Sequence, residues 1–196
     1  FGSTVLLTQD TGITTDGATY CWGLVDRERP GGDYVRVPTP ERVEPDPGFV
    51  DVASAGYRTC GLTQDGQLHC WGRNGFACLA FDNYDYCWDE FNGSPLTPRS
   101  VETPAALVEL HSGGDQICGL TEAGRAYCMG NNEAGQLGDG TREDRQTPVA
   151  VQTDARFSDL AVGSGHTCGL TDRGATLCWG GGSSEQLGRD LGLSPS

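Results

Sequence analysis

Nine cysteines and three histidines are the residues of this 196-residue chain whose chemistry could exceed a structural role. Six cysteines form couples ten residues apart: Cys60 and Cys70, Cys118 and Cys128, Cys168 and Cys178. Cys78 and Cys87 make a further couple, and Cys21 stands alone. Such thiols could ligate metal, act as nucleophiles or oxidise to disulfides. Structural zinc uses C-x-x-C knuckles or nearby histidines, whereas the only imidazoles are His69, His111 and His166. A nucleophile needs a base and an orienting group. His166, in G-S-G-H-T-C, has no second His, Ser or carboxylate at a motif spacing. The G-Q-L-G-D-G string at 135–140 lacks the Lys-Ser/Thr of a phosphate loop. No catalytic residue, cofactor site or metal site is expected. Disulfides are the favoured reading of the couples, with buried reduced thiols and metal ligation as the rivals.

The elements that would hold these couples repeat along the chain. Cys60 opens C-G-L-T-Q-D-G-Q-L-H-C-W-G, Cys118 opens C-G-L-T-E-A-G-R-A-Y-C-M-G and Cys168 opens C-G-L-T-D-R-G-A-T-L-C-W-G. A first copy, D-T-G-I-T-T-D-G-A-T-Y-C-W-G from Asp10, has Thr11 in place of the first cysteine. The second cysteines fall at 21, 70, 128 and 178, so successive copies lie 49, 58 and 50 residues apart. Each copy reads as a β-hairpin with a three-residue loop whose last residue (Gly17, Gly66, Gly124 or Gly174) supplies positive φ. With Asp172-Arg173-Gly174 as the loop, Thr171 faces Ala175 and Cys168 faces Cys178. Opposed residues of an antiparallel ladder lie about 4.5–5.5 Å apart at Cα, a span that a disulfide bridges. Each bond would add roughly 2–3 kcal/mol in the chain-entropy view and would imply an oxidising compartment.

Further pieces recur around each hairpin. D-V-A at 51–53, E-L-H at 109–111 and D-L-A at 159–161 read as short strands ahead of it. A Gly-rich loop with Leu137 or Leu187 as a core plug follows, and then T-P-led strands start at 39, 97 and 147. A four-stranded unit of this size cannot bury both faces alone, so the units must stack, as propeller blades do. Composition agrees: 30 glycines and 36% apolar residues suit short strands and tight turns. No apolar run reaches the roughly 18 residues of a membrane-spanning helix. Nor does a signal peptide follow Phe1, so the chain is cytosolic or a leader precedes this numbering. Thirteen basic residues, all Arg, against 27 acidic ones give a net charge of −14. That balance disfavours nucleic acid and anionic membrane surfaces.

The C-G-L-T-x-x-G-x-x-x-C-W-G and G-Q-L-G-D-G strings resemble the regulator-of-chromosome-condensation repeat, in its cysteine-bearing, secreted bacterial form. The resemblance implies an all-β fold: a β-propeller of four-stranded antiparallel blades, here with hairpin disulfides. It also implies a non-catalytic life of protein–protein contacts. The family's propellers most often have seven blades, and four repeats are present, at about 1–48, 49–106, 107–156 and 157–196 of one domain spanning 1–196. A partial arc, a truncated chain and a small ring all fit that number.

The second repeat departs from the others. Residues 76–91, F-A-C-L-A-F-D-N-Y-D-Y-C-W-D-E-F, replace the Gly-Gln-Leu-Gly element and carry Cys78 and Cys87 as their own couple. Phe76, Phe81, Tyr84, Tyr86, Trp88 and Phe91 interleave there with Asp82, Asp85, Asp89 and Glu90. Aromatics favour interface cores, so a partner-binding loop is one reading, and a private core beneath the loop is the other. Asp82, Asn83 and Asp85 lack the spacing and closing Glu of a calcium loop. Cys21, lacking its hairpin partner, reads as a buried thiol or as a link to another repeat or chain. The expected function is an extracytoplasmic (periplasmic, cell-surface or secreted) binding or scaffolding module, an accessory subunit docking on a larger envelope complex. A secreted enzyme inhibitor is the alternative, and a small-GTPase exchange factor fits less well. Alkylation of the unreduced, denatured protein should leave the six hairpin cysteines unlabelled. Labelling of both members of any couple, read by mass spectrometry, would contradict the disulfides and the compartment together.

Overall fold

A computed structural model describes residues 9–26, 34–56, 58–72 and 97–181. Among them there are strands and turns but no helix. The first sheet comprises β1 (Gln9–Ile13), β2 (Thr19–Asp26) and β3 (Tyr34–Arg42). The second holds β4 (Phe49–Ala55), β5 (Arg58–Thr63), β6 (Leu68–Gly72) and β7 (Arg99–Val101), in chain order. The third repeats that plan with β8 (Glu109–Gly113), β9 (Gln116–Leu120), β10 (Ala126–Gly130) and β11 (Arg145–Ala150). The fourth has β12 (Phe157–Val162), β13 (His166–Thr171) and β14 (Thr176–Gly180). Neighbouring strands are antiparallel throughout.

Local chemistry explains the hairpins. In the second sheet Thr63 N–H donates to Gln67 O and Gly66 N–H donates to Thr63 O. Gln67 N–H in turn donates to Thr63 Oγ1 at 3.1 Å. The same three bonds recur around Thr14, Thr121 and Thr171, which accounts for the T-x-x-G string. From the bonded Thr63–Gln67 pair, ladder pairs alternate between bonded and non-bonded. Cys60 and Cys70 are three steps on, at a non-bonded position where Cα atoms approach most closely. They form a disulfide, as do Cys118–Cys128 and Cys168–Cys178, with Cα atoms 4.0, 4.0 and 4.1 Å apart. This approach is closer than the 4.5–5.5 Å that ladder geometry predicts.

The apolar core lies in the seams between consecutive sheets. Cys60, Leu62 and Leu68 of the second sheet meet Leu107, Leu110, Ile117 and Met129 of the third repeat. Cys118, Leu120 and Ala126 of the third sheet meet Phe157 and Leu160 of the fourth. Cys21 and Val43 meet Phe49 and Trp71 across the first seam. Leu62 and Leu120 are thereby buried to 0% and 3% exposure. Leu170 holds the same position in the fourth sheet, which no described sheet follows, and it is 43% exposed. The glycine of C-G-L makes room for the apolar residue that begins each repeat. A Cβ at Gly61 would lie 2.5 Å from Phe49, and one at Gly169 would lie 2.4 Å from Phe157.

The hairpin tip also touches the next sheet. Phe157 N–H donates to Gly124 O at 2.8 Å, and a Cβ on Gly124 (φ 71°) would fall 2.7 Å from the Phe157 carbonyl oxygen. Gly174 has a similar φ of 78°, with nothing within 4 Å of its would-be Cβ. Gly174→Ala should therefore meet only the left-handed backbone penalty, about 1–2 kcal/mol, a fall of about 2–8 °C in thermal midpoint for a chain of this size. Gly124→Ala should lower the midpoint clearly further. Equal shifts in calorimetry would mean that the tip makes no seam contact.

Candidate partner-binding surface

The segments between the third and outermost strands are where the repeats differ in sequence, and the described residues cover this loop in the third repeat. Asn132, fully buried, donates from Nδ2 to Asp139 Oδ1 (3.0 Å), Thr141 O (3.2 Å) and Glu143 O (3.0 Å). Its Oδ1 accepts from Leu137 N–H at 3.0 Å, which seats the fully buried Leu137 in the seam core. Asp139 also accepts from Thr141 N–H (3.0 Å), Thr141 Oγ1 (2.8 Å) and Arg145 Nε (2.8 Å). Burial pushes the Asp139 carboxyl up, but the hydrogen bonds from Thr141, Arg145 and Asn132 outweigh it and hold the group below the usual carboxylate range.

This loop is tied to the fourth sheet. The Gln136 carbonyl accepts from Thr167 Oγ1 and from Trp179 Nε1, each at 2.9 Å. Gln116, fully buried, adds bonds from Nε2 to Gly163 O (2.9 Å), His166 O (3.1 Å) and Thr167 Oγ1 (3.2 Å). The second seam is joined by Asp51 Oδ2, which accepts from Leu110 N–H at 2.8 Å. It also holds Arg58, whose guanidinium is pushed down to about 10 by burial, against the opposing pull of Asp115. In the first seam the indole Nε1 of Trp71 donates to Cys21 Sγ at 3.2 Å. The Trp71 ring stacks on Phe49 at 5.2 Å.

Thr11 stands opposite Cys21, with its Oγ1 3.3 Å from the cysteine sulfur. Its hydroxyl also lies 3.2 Å from Thr59 Oγ1, and Ser54 Oγ donates to it at 3.3 Å. Where the other hairpins carry a staple, the first therefore carries a hydroxyl cluster shared with its neighbour. Cys21 is buried, the first of the two fates read from sequence.

The six hairpin cysteines of the sequence analysis are thus placed in three disulfides. Cys78, Cys87, Phe76, Phe81, Tyr84, Tyr86, Trp88 and Phe91, together with Leu187, lie outside the described residues. What sequence reading missed is the polar stitching by Asn132, Asp139, Gln116, Arg58 and Trp71. Only the G-Q-L-G-D-G string hints at it, and from sequence its residues are expected to be turn formers and a core plug. Among the described residues no histidine side chain hydrogen-bonds a Ser, Thr or Cys. His69 packs edge-on against Phe49 at 5.9 Å.

Consecutive antiparallel sheets of three or four strands whose described apolar faces meet one another, three of them with stapled hairpins, define a β-propeller-type repeat array. Residues 49–78, 123–170 and 157–186 match profiles of the Regulator of chromosome condensation (RCC1) repeat, and the chain is an RCC1-like repeat protein. Over 133 residues it is 29% identical to mouse Regulator of chromosome condensation, covering 64% of this chain and 30% of that protein. Over 134 residues it is 28% identical to human E3 ubiquitin-protein ligase HERC2, covering 66% of this chain and 3% of the ligase. Yeast RCC1 (Prp20), solved bound to Kap60, superposes with a TM-score of 0.72 at 18% identity, over 94% of this chain and 44% of that one. The chain spans less than a third of the length of these two curated relatives.

Asp139→Asn tests the stitching. A carboxyl held below its unfolded value of about 3.9 stabilises the fold above that pH, and the contribution fades as pH falls through the lowered folded value. The variant should lose about 1.5–3 kcal/mol at pH 7, as for hydrogen bonds to a charged group. The gap to wild type should narrow below about pH 4. A gap that is constant with pH in urea titrations would assign the loss to packing alone.

Proposed function

We propose that the chain is a non-catalytic, extracytoplasmic protein-binding module, an accessory subunit that docks on a larger envelope complex through its second repeat. One observation carries this reading. The third repeat spends its Gly-Gln-Leu-Gly loop on holding the next sheet, whereas the second exchanges that string for residues 76–91. Six aromatics, Phe76, Phe81, Tyr84, Tyr86, Trp88 and Phe91, and four acids then stand between β6 and β7. A Cys78–Cys87 disulfide would pre-order them, so little conformational entropy would be lost on docking. The three hairpin disulfides fit an oxidising compartment. Yeast RCC1 (Prp20), which shares this fold, is solved bound to a protein, Kap60. The net charge of −14 suits a partner with a basic face.

The partner is sought by pull-down of the native protein from an envelope fraction. A stoichiometric membrane-complex subunit supports docking, and a soluble enzyme would replace that reading with the inhibitor one. On the captured partner, Tyr84→Ala with Trp88→Ala should weaken binding at least about tenfold, because truncated hot-spot aromatics typically cost 2 kcal/mol or more. The thermal midpoint should hold. Falling stability with unchanged affinity per folded molecule would make these aromatics a private core.

A further inference from the structure

Asp51, Glu109 and Asp159 hold one equivalent position in the inner strands β4, β8 and β12. Their circumstances differ. The Asp51 carboxylate is spent on backbone, accepting from Val52 N–H at 2.9 Å and from Leu110 N–H across the seam at 2.8 Å. Glu109 is one methylene longer and makes no such bond to the fourth sheet. Its carboxylate lies 3.4 Å from Nε2 of His111. His111 itself stands where β4 and β12 have Ala53 and Ala161. From across the seam Asp159 approaches its Nδ1 to 3.9 Å. The imidazole is 14% exposed, the two carboxylates 48% and 64%. The Nε2 atom is buried and has no hydrogen-bond partner.

One imidazole nitrogen with two carboxylate oxygens is a donor set for a borderline divalent cation. Zinc binds nitrogen and oxygen at about 2.0–2.2 Å, which sets neighbouring donors of a tetrahedral site about 3.4 Å apart. The Nε2–Oε1 separation already has that value, 3.4 Å. One donor atom from each of the three residues lies within 4.8 Å of the other two. Both carboxylates are exposed enough to turn onto a shared ion, with water in the fourth position. We propose that Glu109, His111 and Asp159 form a zinc-type divalent metal site that clamps β8 of the third sheet to β12 of the fourth. This goes against the sequence expectation of no metal site, because the three residues share no motif spacing and only the seam brings them together.

Calorimetric titration of the tag-free, disulfide-intact chain with zinc chloride tests it. One equivalent should bind, the thermal midpoint should rise with zinc, and calcium or magnesium chloride should give neither effect. His111→Ala should weaken zinc binding at least tenfold, and His166→Ala should leave it unchanged. Asp159→Asn, altering a mostly exposed side chain, should also weaken it and keeps the test decisive should His111→Ala fail to fold. No uptake of zinc, or uptake at an affinity that Asp159→Asn leaves unaltered, would reduce the cluster to an ordinary histidine–carboxylate ion pair and overturn the site.

Discussion

Among the described residues each sheet is only three or four strands wide, too narrow to bury either face on itself, so cohesion depends on contact across the seams. The apolar clusters follow that constraint, each drawing its side chains from two consecutive repeats. Equivalent leucines register it directly: Leu62 and Leu120 are sealed by the sheet that follows, while Leu170 is 43% exposed. Burying a leucine is worth roughly 1.5–3 kcal/mol, so one seam outweighs several surface ion pairs.

The disulfides act at a different level. Each closes a ten-residue hairpin and restrains a local element without crossing a seam. Joining the sheets falls to apolar contact and to a few buried polar groups. Satisfaction varies among them, which matters because an unmade buried bond costs about 1–3 kcal/mol: Gln116 Oε1 is buried with no hydrogen-bond partner among the described residues. Asn132 and Asp139 each meet several partners. The first seam shows that the two levels can be traded. With Thr11 in place of a cysteine, the Cys21 sulfur accepts from Trp71 while the threonine hydroxyl joins Ser54 and Thr59. A staple within one sheet is exchanged for polar contacts between two.

That division of labour leaves the loops before the outermost strands as the variable parts. In the third repeat the loop is committed to the seam through Leu137 and the Gln136 carbonyl. The second repeat lacks those residues. Binding side chains tend to accumulate in loops carried on a rigid scaffold, and six aromatics are concentrated in this stretch of the sequence.

What the sequence determined by itself is everything that repeats at short range. T-x-x-G specifies the hairpin loop, because the threonine hydroxyl and a positive-φ glycine close it. The spacing of ten then puts two cysteines opposite one another, since ladder pairing from that loop leaves no other register. In the second, third and fourth sheets the order of the first three strands follows from the same short connections. Only the tertiary structure decided which groups meet across a seam. Trp71 on Cys21, Gln136 under Trp179, and Asp159 beside His111 join residues roughly 50 apart in sequence. Each comes from a different repeat, so no local period marks the pair. Such contacts are set by how two twisted sheets settle face to face, a matter of shape and close packing that hydrogen-bond register within one sheet does not encode.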